Sequence, residues 1–270
     1  MEYSLLISPA LGILIGLLMG LTGAGGGILS VPLLVFVLHL TVAEAAPIAL
    51  SAIALAAGVG ALMGLRDHIL RYKAAGLMAL FGLLLSPLGL WLAQRVPNGP
   101  LLILFGCVLL SVSIRLFRQA SKDIRGIPEV AEKPPPCLLD PSIGKLNWNI
   151  PCARALLLSG GLAGFLSGLL GVGGGFVIVP SLKRYTNLPV QSIVATSLGV
   201  LAIISTGGTV FSAITGNFDL LIAAPFSLGA LGGLLIGMSF GKKISGPRLQ
   251  QLFSLLIFAV ALSLLFKGLF

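Results

Sequence analysis

Charged side chains are scarce in this sequence: Asp, Glu, Lys and Arg make up 9% of its 270 residues, against about 25% in a typical soluble domain. Hydrophobic residues make up 57%, and the mean hydropathy is +1.08. So few charges could not cover a water-exposed surface, which excludes an ordinary soluble domain. We therefore expect lipid to contact most of the outside, as in a protein with several membrane-spanning helices.

The sequence also lacks the residue groups that enzymes and metal proteins need. Its three cysteines and two histidines show no CxxC spacing and no shared cluster, which argues against a metal site. GxGxxG is not completed in either glycine cluster, and GxxxxGK[ST] is absent, so a bound dinucleotide or ATP is not indicated. Acids, bases and nucleophiles are not gathered within the apolar segments. We predict no enzyme activity, no catalytic residues, no metal and no cofactor.

The chain consists of two copies of one pattern. The sequence GxxGxGGGxxxVP occurs at 20–32 and again at 168–180, which is an offset of 148 residues. The same offset, without a gap, pairs Leu50 with Leu198, Gly60 with Gly208, Gly89 with Gly237 and Phe105 with Phe253. A fixed-period repeat predicts two similar structural units.

We predict that these units are 1–118 and 153–270. The linker between them, 119–152, carries charges of both signs and three consecutive prolines. Each unit has one long apolar segment, followed by three segments that could each span as a single helix. The long segments lie at about 5–40 and 153–182, and the single helices at about 42–65, 74–94, 100–118, 190–215, 219–241 and 249–269.

The basic residues favour an inverted arrangement of the two units. If each long segment enters the membrane and returns, bending at its glycine cluster, each unit crosses an odd number of times. The 17 Lys and Arg residues then divide 15 to 2 between the two sides, whereas straight segments give 11 to 6. The positive-inside rule favours the first arrangement, with the linker in the cytoplasm. We therefore predict an all-α integral membrane protein of the cell membrane, with two inverted repeats of a glycine-bent hairpin plus three transmembrane helices.

Two of the cysteines, Cys137 and Cys152, lie in the linker. They could form a disulfide only if this loop faced an oxidising compartment. Cys107 lies in an apolar segment and is expected to pack there.

The two glycine clusters are the strongest candidates for a binding site. Glycine permits the positive φ of a tight reversal and lets a ligand approach the backbone. A helix is expected to begin just after each cluster, and its first N–H groups have no internal acceptor and carry the positive end of the helix dipole. Such a helix end can bind an anion without a charged side chain. We predict that the two tips meet near the membrane midplane and bind a small anion there.

Hydroxyl groups could complete the site, since no Lys, Arg, Asp or Glu lies deep in a predicted span. Against this, Ser and Thr in membrane helices more often bond their own helix, and glycines at four-residue spacing usually serve packing. Deep hydroxyls outside the predicted set are Ser30, Ser167, Ser205, Thr206 and Thr209. The predicted substrate-binding residues are Thr22, Gly23, Gly25, Gly26, Gly27, Ser51, Gly171, Gly173, Gly174, Gly175, Thr196 and Ser197.

The doubled glycine pattern resembles that of the TauE/SafE sulfite exporter family of membrane permeases. The stretch Ala195-Thr196-Ser197-Leu198 is also similar to the family, whereas the first copy departs from it with Pro47-Ile48-Ala49-Leu50. The resemblance covers both units. It implies transport of sulfur-containing anions such as sulfite, sulfonates or sulfoacetate.

The favoured function is secondary transport of such an anion by alternating access. A passive anion channel and a non-transport membrane assembly protein are the alternatives. The expected partners are a small anionic substrate and the lipid bilayer, with a homo-oligomer left open. The net charge of +9 does not indicate nucleic-acid binding, because the basic residues form no single patch with interleaved aromatics.

Overall fold

The computed structural model describes residues 2–125, 136–140, 145–146, 149–216, 218–244 and 246–269, and these are almost entirely helical. The helices are α1 (Glu2–Thr22), α2 (Ser30–Val37), α3 (Val42–Arg66), α4 (Tyr72–Arg95), α5 (Asn98–Ile124), α6 (Ile150–Leu170), α7 (Gly175–Tyr185), α8 (Val190–Ile214), α9 (Leu220–Ile244) and α10 (Pro247–Leu269). A 3-10 segment, Gly23–Leu29, joins α1 to α2, and two short strands, β1 (Leu139–Asp140) and β2 (Lys145–Leu146), pair antiparallel. Among the described residues, seven helices are long and apolar enough to cross a membrane. The prediction of an all-α membrane protein is confirmed.

The helices on either side of the linker extend beyond the apolar segments. Helix α5 ends at Ile124, because 119–124 contains no Gly or Pro and Gly126 follows two residues later. Helix α6 begins at Ile150, where the side chain of Asn149 accepts a hydrogen bond from the Cys152 N–H at 2.8 Å. Asn is a favoured N-cap and proline, here Pro151, is tolerated in the first turn.

Glycines let two pairs of helices approach closely. In α1, a methyl group added at Gly12 or Gly16 would collide with the backbone of α9. In α6, a methyl at Gly160 or Gly164 would collide with the backbone of α4. Since 148 residues separate α1 from α6 and α4 from α9, these are equivalent contacts in the two units. The interpretation of the spaced glycines as packing residues therefore fits both pairs.

The contacts also fix the relative directions of the helices. Helices α1 and α9 run parallel, because successive glycines of α1 meet successive residues of α9, as do α6 and α4. The two central helices, α3 and α8, run antiparallel, since Gly64 lies against Ala195 while Leu50 lies against Gly208 near their other ends. Helices α5 and α10 pack together at the periphery, where the Ser113 hydroxyl donates to the Ser254 carbonyl at 2.8 Å.

The second hairpin, α6 and α7, has both of its ends at the same side of the molecule. Cys152 at the start of α6 forms a disulfide with Cys137. The N–H of Cys137 donates to the carbonyl of Tyr185 at 3.0 Å, and Cys137 forms a bridge with Thr186 just after α7. One short segment therefore contacts both ends of this hairpin.

Candidate functional site

The second glycine cluster forms a left-handed turn between α6 and α7. Gly171, Gly173 and Gly174 have φ angles of +70°, +73° and +75°. Gly171 ends α6, where its N–H donates to the Ser167 carbonyl at 2.8 Å, and Gly174 precedes the first residue of α7. Residues other than glycine rarely adopt this conformation. The tight reversal expected at a glycine cluster is therefore present here.

The start of α7 presents backbone N–H groups at this turn. The N–H groups of Val177 and Ile178 both donate to the Gly174 carbonyl, at 3.0 and 3.1 Å. Those of Gly175 and Phe176 belong to the first turn of the helix and have no intrahelical acceptor. Gly175 is buried. Two donors therefore lie at the positive end of a helix dipole, on one buried and one half-buried residue, which suits an anion.

The first glycine cluster has a different backbone. It continues α1 as a 3-10 segment, with Thr22 still helical at φ −100° and ψ −5°, and the N–H of Ser30 donates to the Gly27 carbonyl. The expectation that a helix begins here with unbonded N–H groups is therefore wrong for α2. The two clusters differ at one inner position, which is Ala24 in the first and Val172 in the second. Alanine favours helical backbone, whereas β-branched valine disfavours it.

The two clusters nevertheless meet at one buried side chain, Ile53, midway along α3. A methyl group built on Gly27 would lie 3.1 Å from Ile53 Cδ1, and one built on Gly173 would lie 2.9 Å from Ile53 Cγ2. The methyl position of Gly27, meaning the place that an added Cβ would take on its backbone, is also 3.5 Å from the Val172 carbonyl oxygen. Ile53 itself is fully buried. The structure therefore brings Gly27 and Gly173 together around α3.

The other predicted glycines pack the turns against their surroundings. Gly26 lies against the backbone of Leu18 and Met19, and Gly171 lies against Ala46. Gly174 lies against Ala163, 2.6 Å separating its methyl position from the Ala163 carbonyl oxygen. Gly23 and Gly25 belong to the 3-10 segment, and their surroundings lie outside the described residues.

Most of the predicted hydroxyls are engaged elsewhere. Thr22 donates to the Leu18 carbonyl at 2.7 Å, and Ser197 to the Val194 carbonyl at 2.8 Å. Ser51 donates to the Ile48 carbonyl at 2.7 Å and lies 3.0 Å from the Ser227 hydroxyl of α9. Thr206 and Thr209 also bond carbonyls of their own helix. These groups hold helices and helix pairs together.

Thr196 lies away from the glycine turn. Its Oγ1 accepts the Arg71 backbone N–H at 3.0 Å, in the connection between α3 and α4. Ser192, one turn earlier on α8, donates to the Ile69 carbonyl of the same connection at 2.7 Å. Thr196 therefore attaches this connection to α8.

Two other buried hydroxyls lie along α8, one of them at the second cluster. Ser205 is fully buried, and its Oγ lies 3.3 Å from the methyl position of Gly173. Ser86 of α4, which the sequence prediction missed, has its Oγ 3.4 Å from the methyl position of Gly208. Ser86 lies four residues after Gly82, on the face of α4 that packs against α6. This spacing is the sequence signal that could have identified it. Within the described part of the chain, the serine Oγ atoms that are buried without a hydrogen-bond partner are those of Ser8, Ser30, Ser86, Ser167 and Ser205.

The chain matches the model of a known protein family, described as sulfite exporter TauE/SafE, over residues 9–264. The chain belongs to the TauE/SafE family. Because this is a membrane transporter family and the described part of the chain contains seven helices able to span, the protein is a multi-pass membrane transporter of the cell membrane.

Curated relatives carry the same general description. A probable membrane transporter protein of Xylella fastidiosa (strain Temecula1) is 28% identical to this TauE/SafE protein, over 98% of this chain and 96% of its own. Another, from Methanocaldococcus jannaschii, is 27% identical over 97% and 96% of the two chains. Probable membrane transporter protein YunE of Bacillus subtilis is 25% identical over 99% of both chains. No solved structure matches the chain.

Proposed function

We propose that this TauE/SafE protein transports small sulfur-containing oxyanions, of the class of sulfite, sulfonates and sulfoacetate, and binds them at the second glycine cluster. The observation that carries the proposal is the buried start of α7, where the N–H groups of Gly175 and Phe176 lack intrahelical acceptors. The hydroxyl of Ser205 on α8, whose Oγ lies 3.3 Å from the methyl position of Gly173, adds a third donor beside this turn. The sulfur class comes from the description of the family, since the names of the relatives specify no substrate.

Neutral donors suit a transporter better than a fixed positive charge would. Backbone N–H groups and hydroxyls replace the water around an anion, so the anion can enter a site of low dielectric constant. A lysine or arginine in the same place would bind the anion more strongly and slow its release. The site therefore combines selectivity for negative charge with reversible binding.

Alternating access is the mechanism that the helix contacts support. Helices α3 and α8, which the 148-residue offset makes equivalent, run antiparallel. Two units related in this way would insert their hairpins from opposite faces of the membrane. Movement of one unit against the other could then expose the shared turn region to each side in turn.

Counterflow in proteoliposomes tests the proposal. Purified protein is reconstituted with unlabelled sulfite inside, and uptake of labelled sulfite is measured against empty liposomes. We expect saturable uptake that is accelerated by the internal sulfite, because a carrier exchanges its cargo. Single-channel currents and no acceleration would identify a passive anion channel. No flux of sulfite, a sulfonate or sulfoacetate, with folded protein confirmed by its helical circular dichroism, would reject transport of this class.

A further inference from the structure

We propose that Ser86, Ser167 and Ser205 form a hydroxyl shell that hydrogen-bonds the oxygen atoms of the anion and selects oxyanions over halides. This inference rests on the proposed function, because it assigns selectivity to the same turn. The three serines come from three different helices, α4, α6 and α8. Each is fully buried, and within the described residues its Oγ has no hydrogen-bond partner.

Neighbouring serines on the same helices behave differently. On α6, Ser159 donates to the Ala155 carbonyl at 2.7 Å, one turn earlier. On α8, Ser212 donates to the Gly208 carbonyl at 3.0 Å. This bond to the preceding turn is the usual way in which a serine hydroxyl in an apolar helix is satisfied. Ser167 and Ser205 occupy the same helices without making it.

One of the three serines lies at the second glycine cluster, and the other two lie near it on α4 and α6. Ser205 Oγ is 3.3 Å from the methyl position of Gly173. One turn further along α8, the methyl position of Gly208 is 3.4 Å from Ser86 Oγ. The backbone of Ser86 in turn contacts Gly168, the residue that follows Ser167 on α6. Ser205 therefore lies at the turn that precedes α7, Ser86 lies beside α8 one helical turn away, and Ser167 lies four residues before Gly171, whose N–H donates to the Ser167 carbonyl.

The chemistry of such a shell favours a particular kind of anion. An oxyanion has several acceptor atoms at different positions, so it can bond donors from several helices together with the N–H groups of α7. A halide is a single acceptor atom, so all of its donors must converge on one point, whereas donors spread over three helices suit the separated oxygen atoms of an oxyanion. Buried hydroxyls are normally hydrogen-bonded, so a bound oxyanion would satisfy groups that the protein itself leaves unsatisfied.

Serine-to-alanine variants in reconstituted protein test this inference. S86A, S167A, S205A and the triple variant are compared with S159A and S212A, which remove buried hydroxyls bonded to their own helices. We expect sulfite affinity to fall by about 10-fold for each shell serine, the loss of one hydrogen bond to a charged group. Competition by chloride should become relatively stronger. S159A and S212A should retain the affinity of the unmodified protein.

Melting temperature, measured without substrate, separates binding from structure. A hydroxyl that bonds nothing in the protein can be removed without loss, so the shell variants should melt at or above the temperature of the unmodified protein. A clear fall in melting temperature for S205A would assign it a structural role and overturn the inference. Unchanged sulfite affinity and chloride competition in the triple variant would overturn it while leaving the proposed function intact. If the unmodified protein binds no oxyanion, the proposed function fails, and the inference fails with it.

Discussion

Ile53 of α3 touches Gly173 of the second glycine cluster, with 2.9 Å between Ile53 Cγ2 and the methyl position of the glycine. The same side chain also lies against Gly27 of the first cluster, at 3.1 Å from its methyl position. One aliphatic side chain therefore lies between the two units where their tips approach. If one tip moved towards α3, it would push Ile53 against the other tip.

Replacing Gly173 with alanine should abolish transport. The φ of +73° alone costs a side-chain-bearing residue about 1–2 kcal/mol. The new methyl group would also press on Ile53 and on the Ser205 hydroxyl. The matched control is Gly216→Ala, where φ is +75° but nothing lies within 4 Å of the methyl position. Sulfite uptake should be lost in G173A and retained in G216A, and equal losses in both would show that strain alone explains the effect.

Truncation of Ile53 should loosen the contact between the tips. Ile53→Ala leaves a cavity in a buried position and should cost about 2–5 kcal/mol of stability. Leu201, its equivalent in the second unit, is also fully buried and provides the control L201A. We expect both variants to melt at lower temperatures, but only I53A to change the affinity for sulfite or to leak anions. Identical transport in the two variants would contradict the role given to Ile53.

The sequence was sufficient to predict the fold class and a reversal at the second glycine cluster. The low charge content, the apolar segments and the 148-residue offset predict an all-α membrane protein with a bend at each glycine cluster. The pattern could not predict that the bends would differ. Both copies match GxxGxGGGxxxVP, yet the first is a 3-10 segment and the second a left-handed turn, although within the glycine clusters themselves they differ only at Ala24 and Val172.

The hydroxyls that lie at the candidate site were harder to predict, because the sequence gives the position of a serine along a helix but not its neighbours in the fold. Thr196 and Ser205 both lie within the apolar segment 190–215, on the same helix. Their nine-residue separation corresponds to about 14 Å. Only tertiary packing decides that one bonds the α3–α4 connection while the other lies at Gly173.

Thr196→Ala should therefore lower the stability of the protein without lowering its affinity for sulfite. Removing the acceptor leaves the Arg71 N–H without this bond, at a cost of about 1–3 kcal/mol if that group stays buried. Thr196→Ser retains the hydroxyl and should restore the melting temperature. The affinity for sulfite should be unchanged in both variants, as measured by counterflow. A large loss of sulfite affinity in T196A, with an unchanged melting temperature, would show that Thr196 belongs to the binding site.

The disulfide between Cys137 and Cys152 and the distribution of basic residues indicate opposite sides of the membrane. Structural disulfides persist in oxidising compartments, whereas 15 of the 17 Lys and Arg residues share the side of the linker in the inverted arrangement. Basic residues set topology through the positive-inside rule. A single disulfide does not set topology, because cysteines held in contact can oxidise after purification. We therefore propose that the linker is cytoplasmic and that the pair is reduced in the cell.

Trapping thiols with acid in intact cells tests this, because acid stops thiol–disulfide exchange. After denaturation and alkylation with a polyethylene-glycol maleimide, the protein should shift by three additions, one for each cysteine. Air-oxidised purified protein should shift by one, at the free Cys107, and Cys107→Ser should remove that shift. A single addition in protein from trapped cells would mean that the pair is already bonded there. The linker would then face an oxidising compartment, with both hairpins entering from the sides opposite to those proposed.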